Sequence, residues 1–486
     1  MVRVMDLADI PASWRAAGGV EVQAITADSR SCRDGSLFVA VPGASRNGNA
    51  FIGEAVARGA AAVLALPGTA WPAGVPPRPL IEDPQPRRRL AQIAAQLAGP
   101  PPATVVAVTG TNGKTSSVEF LRQLWALAGI RAASIGTLGV VAPGTGLSSG
   151  AAMTTPDPVA LSQTLAGLTR EGARAVALEA SSHGLDQCRL DGLHLAAAAF
   201  TNLTRDHLDY HGTAEAYRDA KLRLFRELLP TGAVAVASTA LDPATLLALG
   251  ETARTRRFDL RSVGEDGTAI RLLRTTPRAD GQVLELRQDG RRHEVEVTLP
   301  GRFQADNLLV AAALAQATGV AGALDLLPRL VGVRGRMELA ARLDNGAVAY
   351  VDYAHTPDAL ERLLLALRPH AERRLIVVFG AGGDRDRGKR PLMGAACARL
   401  ADVAIVADDN PRHEDPAAIR AAVLAGCPGG IDGGAREAAI AMGLDMLRAG
   451  DVLAVAGKGH EEGQTVGDAV LPFDDVAVLR RLAGDR

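Results

Sequence analysis

A glycine-rich loop between a predicted strand and a predicted helix constrains the fold of this chain most. The loop reads Gly110-Thr111-Asn112-Gly113-Lys114-Thr115, and Ser116 follows it. The apolar run 104–108 precedes the loop. Backbone N–H groups turned by glycine, together with a helix N-terminus, form a cradle for phosphate. The segment after the loop is predicted to be an amphipathic helix, whose apolar face holds Val118, Leu121, Leu124, Trp125 and Ala128.

The side chains at the end of this loop suit a nucleoside triphosphate. Lys114 supplies a positive charge for phosphate oxygens, and Thr115 offers a hydroxyl to Mg²⁺. The usual spacing places another glycine near Val108, so we interpret the motif as a compact variant. The alternative is a chance Gly-Lys-Thr in a glycine-rich chain, but the strand before it and the helix after it are the context that the motif requires.

Length and composition limit the class of protein. The chain has 486 residues, more than one hydrophobic core normally serves, so two to four domains are expected. The formal net charge of −1 provides no basic field, which argues against nucleic acid or a membrane surface as the main partner. The first nine residues interrupt their apolar positions with charge, and no apolar run approaches the length of a membrane span. We therefore expect a cytoplasmic protein.

The pattern of predicted elements indicates an α/β fold with three domains. The linker Gly99-Pro100-Pro101-Pro102 cannot continue a helix and marks the first boundary. The segment before it is predicted to be a small α/β domain (1–99). The next is a parallel-sheet domain with a small antiparallel insert near 256–299 (100–332), and the last is a Rossmann-like α/β domain (333–486). The strands expected from apolar runs are 37–41, 60–66, 104–108, 175–178, 196–200, 348–351, 375–379, 402–407 and 452–456.

Two polar loops follow consecutive predicted strands of the middle domain. Residues 179–184 begin with Glu179, and residues 201–211 contain His207. A carboxylate and an imidazole suit Mg²⁺ only when phosphate oxygens and waters complete its octahedral shell. Either residue alone is more often structural, but two such loops at neighbouring strand ends favour a metal site. Cys32, Cys188, Cys397 and Cys427 have no paired spacing and are interpreted as reduced thiols.

The series of motifs resembles the Mur ligase family along nearly the whole chain. The resemblance implies an N-terminal domain for a uridine nucleotide, a central ATPase domain and a C-terminal domain for the incoming amino acid. The motifs that carry it are Asp28-Ser29-Arg30, the compact phosphate loop, Thr154-Thr155-Pro156, residues 179–184, Asp206-His207, Lys221, Gly335-Arg336, Asp352-Tyr353-Ala354-His355, Asp384-Arg385, Asp409-Asn410-Pro411-Arg412 and Gly457-Lys458-Gly459-His460-Glu461.

The implied reaction is ATP-dependent amide formation through an acyl phosphate. The D-glutamyl γ-carboxylate of UDP-N-acetylmuramoyl-L-alanyl-D-glutamate attacks the ATP γ-phosphate, and an amine of meso-2,6-diaminopimelate then displaces phosphate. ATP and Mg²⁺ are the implied cofactors, and the partners are these small molecules. A member of the same family that adds lysine is the alternative. A monomer is expected.

The resemblance assigns roles to the central domain. Residues 110–116 would hold ATP, with Lys114 on the β- and γ-phosphates. Thr115 and Glu179 would bind Mg²⁺, and His207 a second metal ion. Lys221 matches a lysine that the family carbamylates with CO₂, since a carbamate is an anion that suits a metal. The alternative is an ordinary surface lysine.

Substrate contacts outside the phosphate loop are implied in the same way. Asn307 would contact adenine, and Arg336 and Asp352 would reach the nucleotide when the domains close. Serine and threonine at strand ends are often only caps, which is the alternative for several of these positions. The chain departs from the family pattern at Ala27, Asn47 and Ser238. The residues expected to contact the UDP-sugar peptide are Ser29, Ala44, Ser45, Arg46, Thr154, Thr155, Ser181, Gln187 and Arg189.

The choice of amino acid is implied to rest on Asp409-Asn410-Pro411-Arg412. Diaminopimelate differs from lysine by a second carboxylate, which a planar guanidinium can hold with two hydrogen bonds. Arg412 and Arg385 are the expected clamp, Glu461 is expected to pair with the distal ammonium, and Gly457 lies in the same site. The alternative for Arg412 is a solvated loop arginine.

Two other functions compete with this interpretation. Folylpolyglutamate synthetase also has a compact phosphate loop, but it has no need for Asp-Asn-Pro-Arg. A regulatory P-loop NTPase would hydrolyse ATP without an amino-acid substrate. Phosphate release that depends on an amino acid separates any ligase from the second class.

Overall fold

The computed structural model describes residues 2–3, 21–43, 47–147 and 153–484. The predicted contacts Ala44, Ser45 and Arg46 lie outside these residues. The chain forms two compact units, the first comprising Met1–Arg261 and Leu314–Ala321 and the second Ser262–Ala313 and Gly322–Arg486. The boundaries at 99/100 and 332/333 stay predictions.

The first unit begins with a four-stranded sheet whose strands are all parallel and follow chain order. Apolar residues bury both faces of this sheet, which explains why its strands are rich in alanine, valine, leucine and isoleucine. The strands are Ala24–Thr26, Ser36–Val39, Ala60–Ala65 and Leu80–Glu82; the helices are Ile52–Ala57 and Pro86–Ala98, with 3₁₀ turns Ser29–Ser31 and Gly48–Phe51, and Val2–Arg3 pairs antiparallel with Glu21–Val22.

The second sheet of this unit carries the glycine loop. Its parallel strands lie in the order Val234–Ser238, Ala197–Phe200, Thr104–Thr109, Ala175–Glu179, Ala132–Gly136, and the antiparallel strand Gly139–Val141 follows at the edge. The strand before the loop is therefore central, and its neighbours on each side supply the two polar loops. The helices are Lys114–Leu127, Pro158–Arg170, Ser182–Asp186, Leu208–His211, Ala214–Arg223 and Pro243–Arg256, with a π-helical turn at Leu224–Leu228.

The helix after the glycine loop packs as its pattern predicts, with one exception. Leu121, Leu124 and Trp125 are fully buried. Ala128 was predicted on the same face, and that prediction is wrong. The helix ends at Leu127, because Gly129 takes a left-handed φ of 80° just beyond it, and Ala128 is left exposed.

The second unit begins with the predicted antiparallel insert. Ile270–Arg278, Gly281–Gln288 and Arg291–Val297 form successive antiparallel pairs. Strand Asp259–Gly264 and helix Arg302–Ala317 each contain one of the points at which the chain divides. A short helix at Ala323–Leu326 and a 3₁₀ turn at Leu327–Arg329 follow.

The last part of the chain is a six-stranded sheet covered on both faces by apolar clusters. Only its edge strand Glu338–Arg342 is antiparallel. The remaining strands lie in the order Val348–Asp352, Val452–Ala456, Leu375–Phe379, Val403–Ala407 and Ile431–Gly434; the helices are Pro357–Leu367, Lys389–Leu400, Pro416–Leu424, Arg436–Asp445 and Asp475–Gly484, with a 3₁₀ turn at Arg368–His370. Gly463–Val466 and Ala469–Pro472 form a separate two-stranded hairpin, the C-terminal hairpin.

The antiparallel insert is tied to this last sheet at its first turn. His370 bridges two backbone segments, since Nδ1 donates to the Arg278 carbonyl at 2.7 Å and Nε2 accepts the Gly301 N–H at 2.8 Å. The Tyr350 hydroxyl donates to the Ala279 carbonyl at 2.7 Å, and Arg342 pairs with Asp280 at 3.0 Å. Burial lowers the pKa of His370, which keeps the neutral imidazole that this pair of bonds requires.

The α/β class with parallel sheets is confirmed, and the predicted strands lie within one or two residues of the observed ones. All four cysteines are free thiols, and burial raises the pKa of Cys32 to about 11. Among the described helices, none has both the length and the apolar character to cross a membrane.

Candidate active site

The glycine loop has the backbone that a phosphate cradle requires. Gly113 takes a left-handed φ of 80°, and the helix begins at Lys114. Gly110 has a φ of 148°, and a Cβ on it would lie 1.9 Å from the Thr201 hydroxyl oxygen, so only glycine fits. The Lys114 ammonium donates to the carbonyls of Gly110 (3.0 Å) and Thr111 (2.9 Å), which curls it over the loop. A helix N-terminus and an ammonium thus meet at one place.

The loop that follows strand Ala197–Phe200 supports the glycine loop from the side. The Asn202 side chain makes two hydrogen bonds with the backbone of Asn112. It accepts the Asn112 N–H at 2.9 Å and donates to the Asn112 carbonyl at 3.0 Å. The Thr201 hydroxyl donates to the same carbonyl at 2.6 Å, and the Thr204 N–H donates to the Thr111 hydroxyl at 3.0 Å. These bonds fix the cradle before any ligand enters, which is the preorganisation that electrostatic catalysis needs.

Glu179 lies at the carboxyl end of the neighbouring strand and is almost fully buried. Its Oε1 accepts the Thr115 hydroxyl at 3.0 Å and the Thr137 N–H at 2.7 Å, and its Oε2 accepts the Thr137 hydroxyl at 3.3 Å. Gly136 gives it room, because a Cβ there would lie 2.1 Å from Oε1. The structure therefore brings together the two oxygen donors, Thr115 and Glu179, that the sequence assigned to a metal.

Lys221 is buried, with 1% of its surface exposed, so it is not the surface lysine of the alternative interpretation. Its Nζ donates to the Gly110 carbonyl at 2.8 Å and lies 4.6 Å from the centre of the Tyr217 ring. Burial, followed by the nearby charge of Lys114, holds the pKa of Lys221 well below its usual range. A neutral amine beside the glycine loop is the form that can react with an electrophile.

His207 lies on the exposed side of this region, with a left-handed φ of 50°. Its ring packs edge-on against His183, with ring centres 4.9 Å apart, and its Nε2 lies 3.6 Å from the Asp206 carboxylate. His211 and Tyr210 also pack on His183. Burial lowers the pKa of both His183 and His211, which favours neutral rings at this end of the sheet.

The donors around the glycine loop fit a metal that is shared with phosphate. Across the described residues, no group of three or more histidine, cysteine, aspartate or glutamate side chains is placed to hold a metal ion. A hydroxyl and a single carboxylate leave most of an octahedral shell to phosphate oxygens and waters, which is the usual arrangement for Mg²⁺. The arrangement agrees with the predicted donor set and assigns no metal by itself.

A cavity of about 600 Å³ lies between the first sheet and helix Pro158–Arg170. Two of the predicted substrate residues, Gln187 and Arg189, line it, together with Asp28 and Arg33. Ser29 does not line it; this side chain is buried and donates to Glu54 at 2.7 Å. The Ser29 hydroxyl therefore stabilises the domain instead of pointing into the cavity.

The other predicted peptide contacts form one network beside Glu179. The Thr155 hydroxyl donates to the Glu179 carbonyl at 2.7 Å, and Ser181 caps the helix Ser182–Asp186 by accepting the Gly184 N–H at 3.0 Å. Arg189 donates to the Thr155 carbonyl at 2.5 Å and to Gln187 at 2.8 Å. The Thr154 and Thr137 hydroxyls lie 3.3 Å apart. Ser181 thus caps a helix and Thr155 holds the end of the neighbouring strand, and the substrate contacts proposed for both stay predictions.

Three predicted nucleotide contacts belong to the second unit. Asn307 is buried in helix Arg302–Ala317 and donates to the Gln304 side chain at 3.0 Å. Asp352 accepts the N–H groups of Met337 and Ala354, both at 2.8 Å. Burial raises the pKa of Asp352, and the nearby Arg336 opposes that shift.

The loop Asp409-Asn410-Pro411-Arg412, hereafter the 409–412 loop, follows strand Val403–Ala407 and meets Glu461. The Asn410 amide donates to Glu461 at 3.0 Å and accepts the ammonium of the fully buried Lys458 at 2.9 Å. Gly457 lies beneath this loop, where a Cβ would lie 2.6 Å from the Asp409 carboxylate. The structure therefore places the predicted Asp409, Asn410, Gly457 and Glu461 in one cluster.

The two predicted clamp arginines lie on adjacent loops. Among the described residues, the Arg412 guanidinium donates one N–H, to the Gly383 carbonyl at 2.8 Å, which leaves the rest of its fork for another partner. Arg385 is exposed and follows Asp384 directly. His413 joins the loops, since its Nδ1 lies 2.9 Å from the Asp384 carboxylate. The predicted pair is thus on neighbouring segments of the same unit.

Sequence reasoning missed several residues that organise these sites. Thr137 and Asn202 hold Glu179 and the glycine loop. Thr137 is the first residue after a strand and Asn202 the second, and this position at a strand end is the signal that could have found them. Lys458 belongs to the motif Gly457-Lys458-Gly459-His460-Glu461, but the resemblance assigned it no role. Gln464 carries no such signal, because its contact is with the Asp409 backbone.

Comparisons with known proteins give the family of this chain. The Mur ligase family, catalytic domain, matches residues 21–97, the Mur ligase middle domain matches 108–315, and the Mur ligase, glutamate ligase domain, matches 335–459. A UDP-N-acetylmuramoyl-L-alanyl-D-glutamate–2,6-diaminopimelate ligase of Agrobacterium fabrum is 52% identical over 465 residues, which cover 95% of this chain and 93% of that protein.

Solved structures show the same fold. The structure of a UDP-N-acetylmuramoyl-L-alanyl-D-glutamate–2,6-diaminopimelate ligase superposes with a TM-score of 0.74 at 32% identity, over 100% of this chain and 99% of the other. A folylpolyglutamate synthase of Mycobacterium tuberculosis, complexed with ADP, has a TM-score of 0.59 at 18% identity and covers 76% of this chain and 91% of its own; that likeness concerns the fold alone. The chain belongs to the Mur ligase family and is an ATP-dependent ligase.

Proposed function

We propose that this chain joins meso-2,6-diaminopimelate to the D-glutamyl γ-carboxylate of UDP-N-acetylmuramoyl-L-alanyl-D-glutamate, with ATP as the source of energy. This is the reaction named for the relative that is 52% identical over 95% of the chain. The product would be a precursor of peptidoglycan. The family's lysine-adding reaction is the alternative.

The observation that carries the proposal is the cluster formed by the 409–412 loop and Glu461. Asn410 is fixed between Lys458 (2.9 Å) and Glu461 (3.0 Å), while Arg412 keeps part of its guanidinium free for a partner. A carboxylate on the far end of the amino acid would pair with Arg412 and Arg385, and the adjacent ammonium with Glu461. Lysine has no far carboxylate, so it would leave the two guanidiniums without their partner.

The first step is transfer of the ATP γ-phosphoryl group to the substrate carboxylate, which forms the acyl phosphate and releases ADP. Lys114 and the N–H groups at the start of helix Lys114–Leu127 would hold the phosphates. Mg²⁺, when bound, would neutralise the charge that develops on the transferring phosphoryl group, and Thr115 and Glu179 would hold it, with His207 as the proposed donor to a second ion. The buried hydrogen bonds of Glu179 orient its carboxylate toward Thr115.

We also propose that Lys221 is carbamylated. Its neutral amine would add to the carbon of CO₂ and release one proton, which forms an anionic N-carboxylate. Burial and the lowered pKa of Lys221 support this step, because only the unprotonated amine is a nucleophile. Intact-protein mass measured with and without bicarbonate tests it; a fully active enzyme whose Lys221 is unmodified in the presence of bicarbonate would disprove it.

The second step is attack by the amine on the acyl phosphate. The diaminopimelate amine would add to the carbonyl carbon to form a tetrahedral intermediate, which would lose a proton from nitrogen and expel phosphate. Arg189 and Gln187 would position the UDP-sugar peptide from the cavity near the first sheet. Asn307, Arg336 and Asp352 would complete the nucleotide site on domain closure, which would keep water from the acyl phosphate. We place the reaction in the cytoplasm and expect a monomer.

The test is phosphate release from ATP in the presence of Mg²⁺ and the UDP-sugar dipeptide. Parallel reactions would contain meso-diaminopimelate, L-lysine or no amino acid. Release that depends on diaminopimelate supports the proposal. Release with lysine would favour the alternative ligase, and release that is indifferent to amino acids would refute both. Size-exclusion chromatography with light scattering would test the expected monomer.

A further inference from the structure

The C-terminal hairpin contacts the 409–412 loop and has no role in the reaction described so far. The Arg412 N–H donates to the Thr465 carbonyl at 3.0 Å, and the Arg412 carbonyl accepts the Gly467 N–H at 2.7 Å. Arg412 has a φ of 53°, in the left-handed region that residues other than glycine rarely adopt. Both backbone groups of Arg412 are therefore held by the hairpin, in a conformation that the residue would not favour alone.

The hairpin holds two further residues of the same loop. The Gln464 side-chain amide donates to the Asp409 carbonyl at 2.5 Å. The Thr465 N–H donates to the Asn410 side-chain oxygen at 2.9 Å. Because that oxygen is occupied, the Asn410 nitrogen is the atom that points at Glu461. Three of the four residues of the loop thus depend on the hairpin for their position.

The turn of the hairpin is linked to the segment that carries the second arginine through the side chain of His413. Asp468 lies at this turn, and its carboxylate is 3.1 Å from the Nε2 of His413. The other ring nitrogen of His413 lies 2.9 Å from Asp384, which directly precedes Arg385. The hairpin therefore contacts the segment of Arg412 directly and is linked to the segment of Arg385 through the His413 ring.

We propose that the C-terminal hairpin is a specificity-determining element and that Gln464 is a positioning residue for the incoming diamino acid. This inference rests on the proposed function. A guanidinium fork binds a carboxylate with two bonds only when its position is fixed to within about 0.5 Å. Gln464 and the Thr465 backbone fix the start of the loop, and Gly467 fixes its end. A substrate without a far carboxylate gains nothing from this alignment.

The substitution Gln464→Met tests the inference, because it keeps the length of the side chain and removes the donor. One lost hydrogen bond at a positioning residue is expected to raise the KM for meso-diaminopimelate roughly 5- to 10-fold. The preference for diaminopimelate over lysine, measured as the ratio of kcat/KM values, should fall by a similar factor. The KM values for ATP and for the UDP-sugar dipeptide should stay within about twofold.

One control variant and a second test variant accompany this substitution. Val470→Thr changes an exposed residue of the same hairpin, 69% of whose surface is accessible, and should leave every constant unchanged. Gln464→Glu places a carboxylate against the Asp409 carbonyl and should raise the diaminopimelate KM further than Gln464→Met does. Thermal unfolding of the full-length variants shows whether each one is folded at the assay temperature.

The outcomes distinguish this inference from the proposed function. Should both Gln464 variants keep the diaminopimelate KM and the preference over lysine, the hairpin does not position the clamp. A parallel rise in the KM for all three substrates would indicate a general structural effect and would also overturn the inference. If the parent enzyme itself does not use diaminopimelate, the proposed function fails first.

Discussion

Replacing Glu179 by glutamine should separate the charge of this residue from its structural role. The carboxylate accepts three hydrogen bonds, from the Thr115 hydroxyl, the Thr137 N–H and the Thr137 hydroxyl. In Glu179→Gln, the remaining carbonyl oxygen can keep the first two bonds. The new amide can donate to the Thr137 hydroxyl, which is able to accept. The geometry is therefore preserved, and only the negative charge is removed.

The expected change in stability is small because two effects oppose each other. Converting three bonds to a charged acceptor into neutral ones costs about 1 kcal/mol each. Removing a buried carboxylate recovers a desolvation penalty of several kcal/mol. The net change in the free energy of unfolding should be within about 1 kcal/mol. Activity should fall much further, since loss of one preorganised charge at a transferring group costs about 10²- to 10³-fold in kcat.

The assay is diaminopimelate-dependent phosphate release over a range of Mg²⁺ concentrations, together with urea unfolding of the same samples. We expect a lower kcat, a higher Mg²⁺ requirement and an almost unchanged unfolding midpoint. Activity within threefold of the parent would refute the role of the Glu179 charge. Loss of activity together with several kcal/mol of stability would show that the residue acts mainly through the fold.

Three other outcomes follow from the structure. Arg412→Lys should raise the diaminopimelate KM roughly 100-fold with little change in the KM for ATP, because an ammonium cannot make the planar two-bond contact; an unchanged diaminopimelate KM would contradict the clamp. Gly136→Ala should abolish activity, since its Cβ would lie 2.1 Å from the Glu179 carboxylate, whereas Gly146→Ala, with no heavy atom within 4 Å of its Cβ, should behave as the parent. Hydrogen bonds to carboxylates raise the pKa of His413 above 6.5, so its NMR titration midpoint should exceed that value; its contribution to stability is complete at pH below 6.5 and is lost as the pH rises through the higher folded pKa. A midpoint at or below 6.5 would contradict the contacts of His413.

The sequence predicted the sheets well because their strands are buried on both faces. Runs such as residues 375–379 are apolar throughout, which identifies a buried strand without any knowledge of its neighbours. The glycine loop was equally clear, since its strand and helix both have strong patterns. The order of the strands depends on crossovers between distant segments, so single-sequence patterns could not supply it.

Side-chain environments were harder to predict than elements. The burial of Lys221 could not be read from its helix, because the residue faces the glycine loop, more than 100 positions earlier in the chain. The motif that contains Ser29 gives no sign that its hydroxyl bonds Glu54, 25 positions later in the chain. Gln464 acts on a backbone carbonyl, and such a contact leaves no complementary residue type in the sequence. Proximity in the fold, not residue type, decides these three cases.

The hydrogen bonds of His370 and Tyr350 to the first turn of the antiparallel insert have a practical consequence for the choice of protein fragments. A recombinant fragment cut at the predicted boundary of residue 333 would lack residues 270–297 and would leave the bonding groups of both side chains facing solvent. Fragments that begin at residue 262 retain the insert together with the sheet that holds it. The natural unit for expression, crystallisation or binding studies of the amino-acid site therefore starts about seventy residues earlier than the motif boundary indicates.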